Sequence, residues 1–380
     1  MGLYLGPDRS GLPWLLDPAS PALAAAARDI AAREPDTRCD ATAVAQDLDA
    51  LPALMRTQHF GVATGIVGFD EAQHAIEAAR DRVRAEHPST WGEAIGDLTD
   101  ELRLALRDRH FRIVGGGPSR IRADEPTADV DQSASAAEVE VRHGVLCVTV
   151  RRLWGNADDD RVLWDWARAS AEHFAYDRIV VDLRGNSGGN DAITLEWLLP
   201  SLAAGVDIPG TSSTWYVNGT SIGFWNSSAL VEAADGLAAV PIYHREHRHT
   251  PSPDDVLELR TETDDEVEAG ERPWHGRMLV YVDGNTRSSG ESSSWLLRHG
   301  LGARVIGQPT AGMLEYGNIV PYVLPASGFC VHLPTKRNDF GIPMELVGFP
   351  VHTELDPRTP VDDIARDFDR IYSGSSAISP

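Results

Sequence analysis

Two different spacings of apolar residues divide this 380-residue chain. Up to about residue 110 they recur at helical intervals. Ala72, Ala75, Ile76, Ala79 and Val83 form a stripe over 71–85, on one face of a helix of 3.6 residues per turn. Trp91, Ile95, Leu98, Leu102, Ala105 and Leu106 form a second over 91–107. Segments 20–33 and 43–56 are rich in Ala and Leu and also read as helices, with Pro52 placed to kink or split the latter. A helical domain over 1–112 is expected. Residues 113–139, rich in Gly, Pro, Ser, Asp and Ala, read as a linker.

From about residue 140 short apolar runs alternate with helical segments. The runs are 145–150, 178–183, 278–282 and 304–307, and the helices 161–174, 191–203 and 289–299. This alternation predicts right-handed parallel crossovers, hence an α/β core over 140–370. Segments 319–324 and 328–333 read as an antiparallel pair joined through Pro325-Ala326-Ser327-Gly328. The stretch 205–275 breaks the rhythm and reads as an insertion over the sheet. It carries Trp215, Tyr216, Trp225, His244, His247, His249 and an acidic run at 262–268.

Charge narrows the classes of partner. The net charge is −23, from 57 acids against 34 bases, which argues against nucleic acid or an anionic membrane. Lys336 is the single lysine, and this Arg- and Ala-rich composition suggests a GC-rich bacterial source. The N-terminus lacks the basic and apolar regions of a signal peptide, and no apolar run is long enough to span a membrane, so a cytoplasmic location is expected. Cys39, Cys147 and Cys330 are far apart and lack metal spacing; Cys147, in an apolar run, reads as a small buried hydrophobe. His244, His247 and His249 lie in a short polar stretch between Pro241 and Pro251, which reads as a surface loop rather than a zinc site.

Two segments carry chemistry. Asp182-Leu183-Arg184-Gly185-Asn186-Ser187-Gly188-Gly189-Asn190 takes a buried strand through a glycine turn into a helix. Such a turn presents backbone N–H groups to a phosphate or a developing oxyanion, although a plain structural turn has the same composition. Neither a phosphate loop with Gly-Lys-Ser/Thr nor a dinucleotide fingerprint is present. Asn285-Thr286-Arg287-Ser288-Ser289-Gly290-Glu291 also leaves a buried strand and opens a helix. Ser288 there would project from the carboxyl ends of the strands, where α/β proteins place ligands, with the Ser289 N–H beside it as an oxyanion donor. Ordinary helix capping by Ser288 or Ser289 is the competing reading.

In this order, and followed by Gly307-Gln308-Pro309-Thr310-Ala311-Gly312, the segments resemble the tail-specific (C-terminal-processing) serine peptidase family. That family carries Asp-Leu-Arg-x-Asn-x-Gly-Gly, Ser-x-x-Glu and Gly-x-x-Thr-x-Gly. The resemblance implies a mixed-sheet α/β catalytic core of the ClpP/crotonase-like kind, a nucleophile at Ser288, oxyanion donors at Ser289 and Gly188 or Gly189, a peptide substrate, and no metal or organic cofactor. One branch places a lysine base after the Thr-x-Gly turn; this chain has Met313 there. A second branch, typified by the tricorn core and the retinoid-binding protein of the photoreceptor matrix, uses a histidine within Leu-x-Asp-x-His. Leu106-Arg107-Asp108-Arg109-His110 matches it and implies His110 as the base. That branch also carries a late Glu before a Gly-Val/Ile-x-Pro-Asp turn, which Glu345-Leu346-Val347-Gly348-Phe349-Pro350-Val351-His352 resembles with Val351-His352 in place of Pro-Asp; the resemblance implies that Glu345 orients His110, and His352 is a weaker competitor for the base. Between His110 and the strand at 145 there is too little chain for a PDZ module. Besides a peptidase, the resemblance leaves open an acyl-transfer or amide/ester hydrolase acting on a specialised metabolite, and a non-catalytic module for lipophilic ligands.

Overall fold

A computed structural model describes residues 14–15, 37–113, 135–154, 157–203, 206, 212–218, 256–263, 270, 272–324, 326–327 and 330–374. The chain divides into two compact units. One comprises Met1–Ile121, Ser213–Glu262 and Tyr316–Asp339; the other comprises Arg122–Ser212, Thr263–Glu315 and Phe340–Pro380. The expected helix over 20–33, the body of the 113–139 linker, Trp225, the three histidines at 244–249 and the acidic run past Thr263 lie outside the described residues.

The first unit joins helices to a sheet. Its helices are Ala41–Gln58, Phe60–Ala63, Asp70–Glu86, Trp91–Ile95 and Leu98–Leu106. The first runs through Pro52 without splitting, because Leu48, Leu51, Leu54 and Met55 on either side of it are buried in one core. The stripe at 91–107 is broken into two helices at Gly96-Asp97, where glycine is a poor helix former. The sheet runs Trp14–Leu15, Tyr316–Val323, Cys330–Asp339, Ser212–Asn218, Val256–Thr263, and Arg112–Ile113 also pairs with Cys330–Asp339. Tyr316–Val323 and Cys330–Asp339 are antiparallel, as their sequence suggests, with Ile319 opposite Pro334. Leu324, Val331 and Leu333 pack with Ile76, Val83, Leu102 and Phe111. The hairpin therefore belongs to the helical unit, although in sequence it falls within 140–370. Buried Asp47 fastens it, accepting from the N–H groups of Ala326 and Ser327 and from the Ser327 hydroxyl.

The second unit is the α/β part. Its six-stranded sheet runs Thr353–Glu354, Arg304–Gly307, Arg277–Val282, Arg178–Asp182, Val145–Val150, Ala137–Arg142. Every neighbouring pair is parallel except the last. Strand alternation sorts the apolar runs onto two faces. Leu146, Val148, Val150, Ile179, Val181, Met278, Val280 and Val282 face one way. They share a core with Leu163, Trp197 and Trp295 from helices Ala157–Arg168, Asp191–Leu198 and Ser289–Leu301. Val145, Cys147, Val180, Leu279, Tyr281 and Ile306 face the other way, against Ile364, Phe368 and Ile371. Both faces are covered, which is why these strands read as continuous apolar runs. The edge strand Ala137–Arg142 overlaps the expected linker; from Glu138 to Glu140 its side chains face water, so it offers no apolar run to read. Among the described residues no helix is long and apolar enough to cross a membrane.

Burial pushes the Cys147 thiol up to about 11. Below that value the thiol stays neutral and unreactive. Iodoacetamide at pH 8 is expected to leave Cys147 unmodified in the native protein and to alkylate it in guanidinium, read by mass spectrometry of the Cys147 peptide.

Candidate active site

The glycine turn leaves the carboxyl end of the strand Arg178–Asp182. Its entry is fixed by Arg184, whose Nε and Nη2 donate to Asp182 at 2.8 and 2.7 Å. The guanidinium lies 4.1 Å over the Tyr281 ring and donates through Nη1 to the carbonyls of Pro357 and Thr359. Fully buried Asp283 then ties this turn to the next one. Its Oδ1 accepts from Gly185 N–H at 2.9 Å and from the N–H groups of Asn285 and Thr286 at 3.0 Å each. The Thr286 hydroxyl donates to the Leu183 carbonyl at 2.8 Å, and Arg287 N–H donates to the Asn186 carbonyl at 2.9 Å. Residues a hundred apart in sequence are thereby laced into one platform.

Ser288 stands on that platform at the N-terminus of the helix Ser289–Leu301. Its φ of 52° and ψ of −122° lie outside the extended conformation usual for a helix-capping residue. A non-glycine residue held at such a φ costs about 1–3 kcal/mol and persists only where its surroundings over-determine it. The surroundings do so. Gly188, at φ 88°, lies so close that a Cβ placed there would sit 2.7 Å from the Ser288 Cβ. The Ser288 N–H is held by the Met313 carbonyl and by Glu291 Oε2, each at 3.0 Å.

Glu291 is the centre of this arrangement. Its carboxylate is buried and accepts from four groups: Ser288 N–H, Met313 N–H at 2.9 Å, Gly312 N–H at 2.8 Å and the Thr310 hydroxyl. Burial raises its pKa above the usual glutamate range, opposed by those four donors. Ser-x-x-Glu and Thr-x-Gly thus recur together because one side chain binds both.

The same turn carries Glu345. Thr310 accepts Phe349 N–H, and Gly312 accepts Leu346 N–H at 2.8 Å. The Glu345 Oε2 accepts from Leu314 N–H at 3.1 Å and Glu315 N–H at 2.9 Å. The neighbouring Glu315 accepts in turn from Met344 and Glu345 N–H. His352 is held at the end of this segment: its Nδ1 accepts Val305 N–H at 2.9 Å, and its ring is kept below the ordinary histidine value by burial and then by Arg298.

The backbone groups expected as oxyanion donors differ in their hydrogen bonds. Gly188 N–H is taken by Asn186 Oδ1 at 2.8 Å. Among the described residues the N–H groups of Gly189 and Ser289 make no protein hydrogen bond. Gly189 sits at φ 140° with the Leu153 backbone against it, where no Cβ fits, and its carbonyl accepts the Ser289 hydroxyl at 2.8 Å.

His110 belongs to the helical unit, just past the helix Leu98–Leu106, and is buried. Its backbone N–H donates to Asp108 Oδ1 at 2.7 Å. The other Asp108 oxygen lies 3.1 Å from His59 Nε2, and both residues are fully buried. His59 Nδ1 accepts Val62 N–H, so Nε2 carries the proton that Asp108 accepts. The aspartate of Leu-x-Asp-x-His therefore fixes the backbone of the histidine two residues on. Asp283, Glu315 and His59 escape a motif reading because each has partners distant in sequence, whereas Asn186 stands within the glycine-turn motif and Asp108 is signalled by its spacing to His110.

Two outcomes follow. Glu291→Gln places an amide NH2 against the N–H groups of Ser288 and Met313 and is expected to cost roughly 2–4 kcal/mol, read from denaturant unfolding. Gly188→Ala is expected to displace Ser288 and slow its modification by a serine-directed phosphonate at least tenfold while the circular dichroism spectrum stays native.

The model of peptidase family S41 matches residues 164–338, a span that holds all three motif segments but neither His110 nor Glu345. No curated protein matches this sequence. The structure of mature CPAF is similar over 89% of this chain and 99% of that one, with a TM-score of 0.57 and 11% identity. Mature CPAF complexed with lactacystin gives 88% and 99%, 0.57 and 11%. A lipoprotein from Streptococcus agalactiae is similar over 88% of this chain and 97% of that one, with a TM-score of 0.48 and 13% identity. At such identity the CPAF likeness is one of fold, the mixed α/β architecture described above. Across its glycine turn, Ser288 segment and Thr310 turn, this chain is similar to peptidase family S41, the tail-specific serine-type peptidases.

Proposed function

We propose that the protein hydrolyses peptide bonds through an acyl-enzyme on Ser288, with His110 as general base and Glu345 as its orienting carboxylate. The observation that carries this reading is the strained Ser288 at a helix N-terminus, held between Gly188 and Met313 beside two N–H groups that bind no protein acceptor among the described residues. Strain maintained by so many contacts, on a residue whose hydroxyl can be a nucleophile, supports a built site at this helix N-terminus beyond its capping role.

Ser288 Oγ attacks the carbonyl carbon of the peptide while His110 takes the hydroxyl proton. The developing oxyanion accepts hydrogen bonds from Gly189 and Ser289 N–H, and the positive end of the helix Ser289–Leu301 adds to them. Gly188 N–H has no part in this, being bound to Asn186. His110 returns the proton to the leaving amine, and Glu345 stabilises the imidazolium formed in between. A water then attacks the acyl-enzyme, with His110 again as base, and Ser288 is restored. Met313 cannot take a proton, which favours a histidine base over the lysine of the other branch.

A fluorophosphonate is expected to modify Ser288 in the native protein and to leave Ser288→Ala unmodified. His110→Ala is expected to slow that modification by about 10²–10⁴-fold, the usual contribution of a general base. Labelling that is absent from the folded protein would sink the nucleophile assignment; labelling undiminished in His110→Ala would remove His110. Digestion of a peptide library, present in the native protein and lost in Ser288→Ala, tests the peptidase reading itself.

A further inference from the structure

We infer that Trp154 is a specificity-determining residue, an aromatic platform that selects peptides with a bulky apolar side chain beside the scissile bond. This rests on the nucleophile role of Ser288.

The strand Val145–Val150 runs on past its carboxyl end, so that Leu153 pairs in parallel with Gly189. Leu153 N–H donates to the Gly188 carbonyl and its carbonyl accepts Asn190 N–H, each at 2.8 Å. Trp154 is thereby delivered to the glycine turn. A Cβ placed on Gly189 would lie 2.8 Å from Trp154 N, and one on Gly188 would lie 2.7 Å from the Ser288 Cβ. Two consecutive glycines thus have the tryptophan backbone on one and the nucleophile on the other.

The side chain is not part of the core. Trp154 is 53% exposed, whereas Trp166, Trp197 and Trp295 of the same unit are buried in it. Nor does the indole hang loose, since its Nε1–H donates to the Ser187 hydroxyl at 2.9 Å. That bond fixes the ring on the glycine turn and satisfies its one polar atom, leaving an apolar surface for a ligand. Isolated exposed aliphatic residues are ordinary. A large indole fixed by its own hydrogen bond on the turn that carries the oxyanion donor is a different case. With two side-chain torsions, one end pinned, it covers a substrate side chain at little entropic cost. The Gly189 N–H and the Trp154 ring, one residue past Leu153, then act on one substrate: the first on the reacting carbonyl, the second on the side chain next to it.

The test uses two phosphonate ester probes that differ in one substituent, a benzyl or a methyl side chain on the carbon attached to phosphorus. Both are applied to the full-length wild type, Trp154→Ala, Trp154→Phe and a surface control, Val141→Ser. The wild type and Val141→Ser are expected to react with the benzyl probe about tenfold faster, the discrimination a hydrophobic contact supplies. Trp154→Ala is expected to lose that preference through the benzyl probe alone, and Trp154→Phe to keep most of it. A purely structural role for the indole would slow both probes together, and such a result would overturn the inference. So would a benzyl preference undiminished in Trp154→Ala, or no preference in the wild type. If neither probe modifies Ser288 in the wild type, the nucleophile reading fails, and that outcome is distinct from equal reaction with both.

Discussion

The α/β unit depends on one buried carboxylate. Glu291 takes four hydrogen bonds from two segments: the Ser288 turn, and the Thr310 turn as far as Met313. An unpaired carboxylate in that position would be costly, and four donors to each other's exclusion of water would be as costly without it. The interaction therefore works in both directions. It makes the Ser288 turn and the Thr310 turn a single object, and it makes the φ of Ser288 tolerable by holding the residues around it.

Further order is built outward from that point. The Thr310 turn supports the segment from Glu345 to Phe349, so Glu345 is set by the same scaffold as the serine. On the other side Asp283 and Asn186 join the nucleophile turn to the glycine turn, and the glycine turn is pressed on Ser288. A rigid sheet buried on both faces underlies all of this. The parallel strands at 178–182 and 277–282 end side by side, and their two turns emerge at one edge. Catalysis by electrostatic preorganisation requires donors that do not move as charge develops, and a lattice of backbone hydrogen bonds supplies such donors.

The helical unit shows the same economy on a smaller scale. Asp108 serves two partners, the backbone of His110 and the ring of His59, and both oxygens are buried. A histidine at a frayed helix end would sample many positions; this one is restrained by a short-range bond that the Leu-x-Asp-x-His spacing encodes. The family match ends before Glu345 and begins after His110.

Local chemistry was readable from the chain alone. The helices at 41–58 and 70–86, the apolar strands and the order of the three motif segments follow from side-chain periodicity and turn residues, which act over a few positions. Ser288 could be singled out on those grounds, and Glu291, the Thr310 turn and the Leu106–His110 segment through the resemblance to the tail-specific peptidases. What tertiary structure decided has a common cause: each such feature needs a partner far along the chain. The strand at 137–142 has no apolar run of its own and exists through its pairing with 145–150. The hairpin at 316–339 joins the helical unit because its apolar face finds Ile76 and Leu102 there. Gly188 and Gly189 are identical in sequence, yet the side chain of Asn186 takes the N–H of one and leaves the other. Trp154 looks like any tryptophan beside a polar segment until the parallel bridge from Leu153 to Gly189 puts it on the glycine turn. Periodicity reports which face a residue turns to its own element; only the packed chain determines what stands opposite.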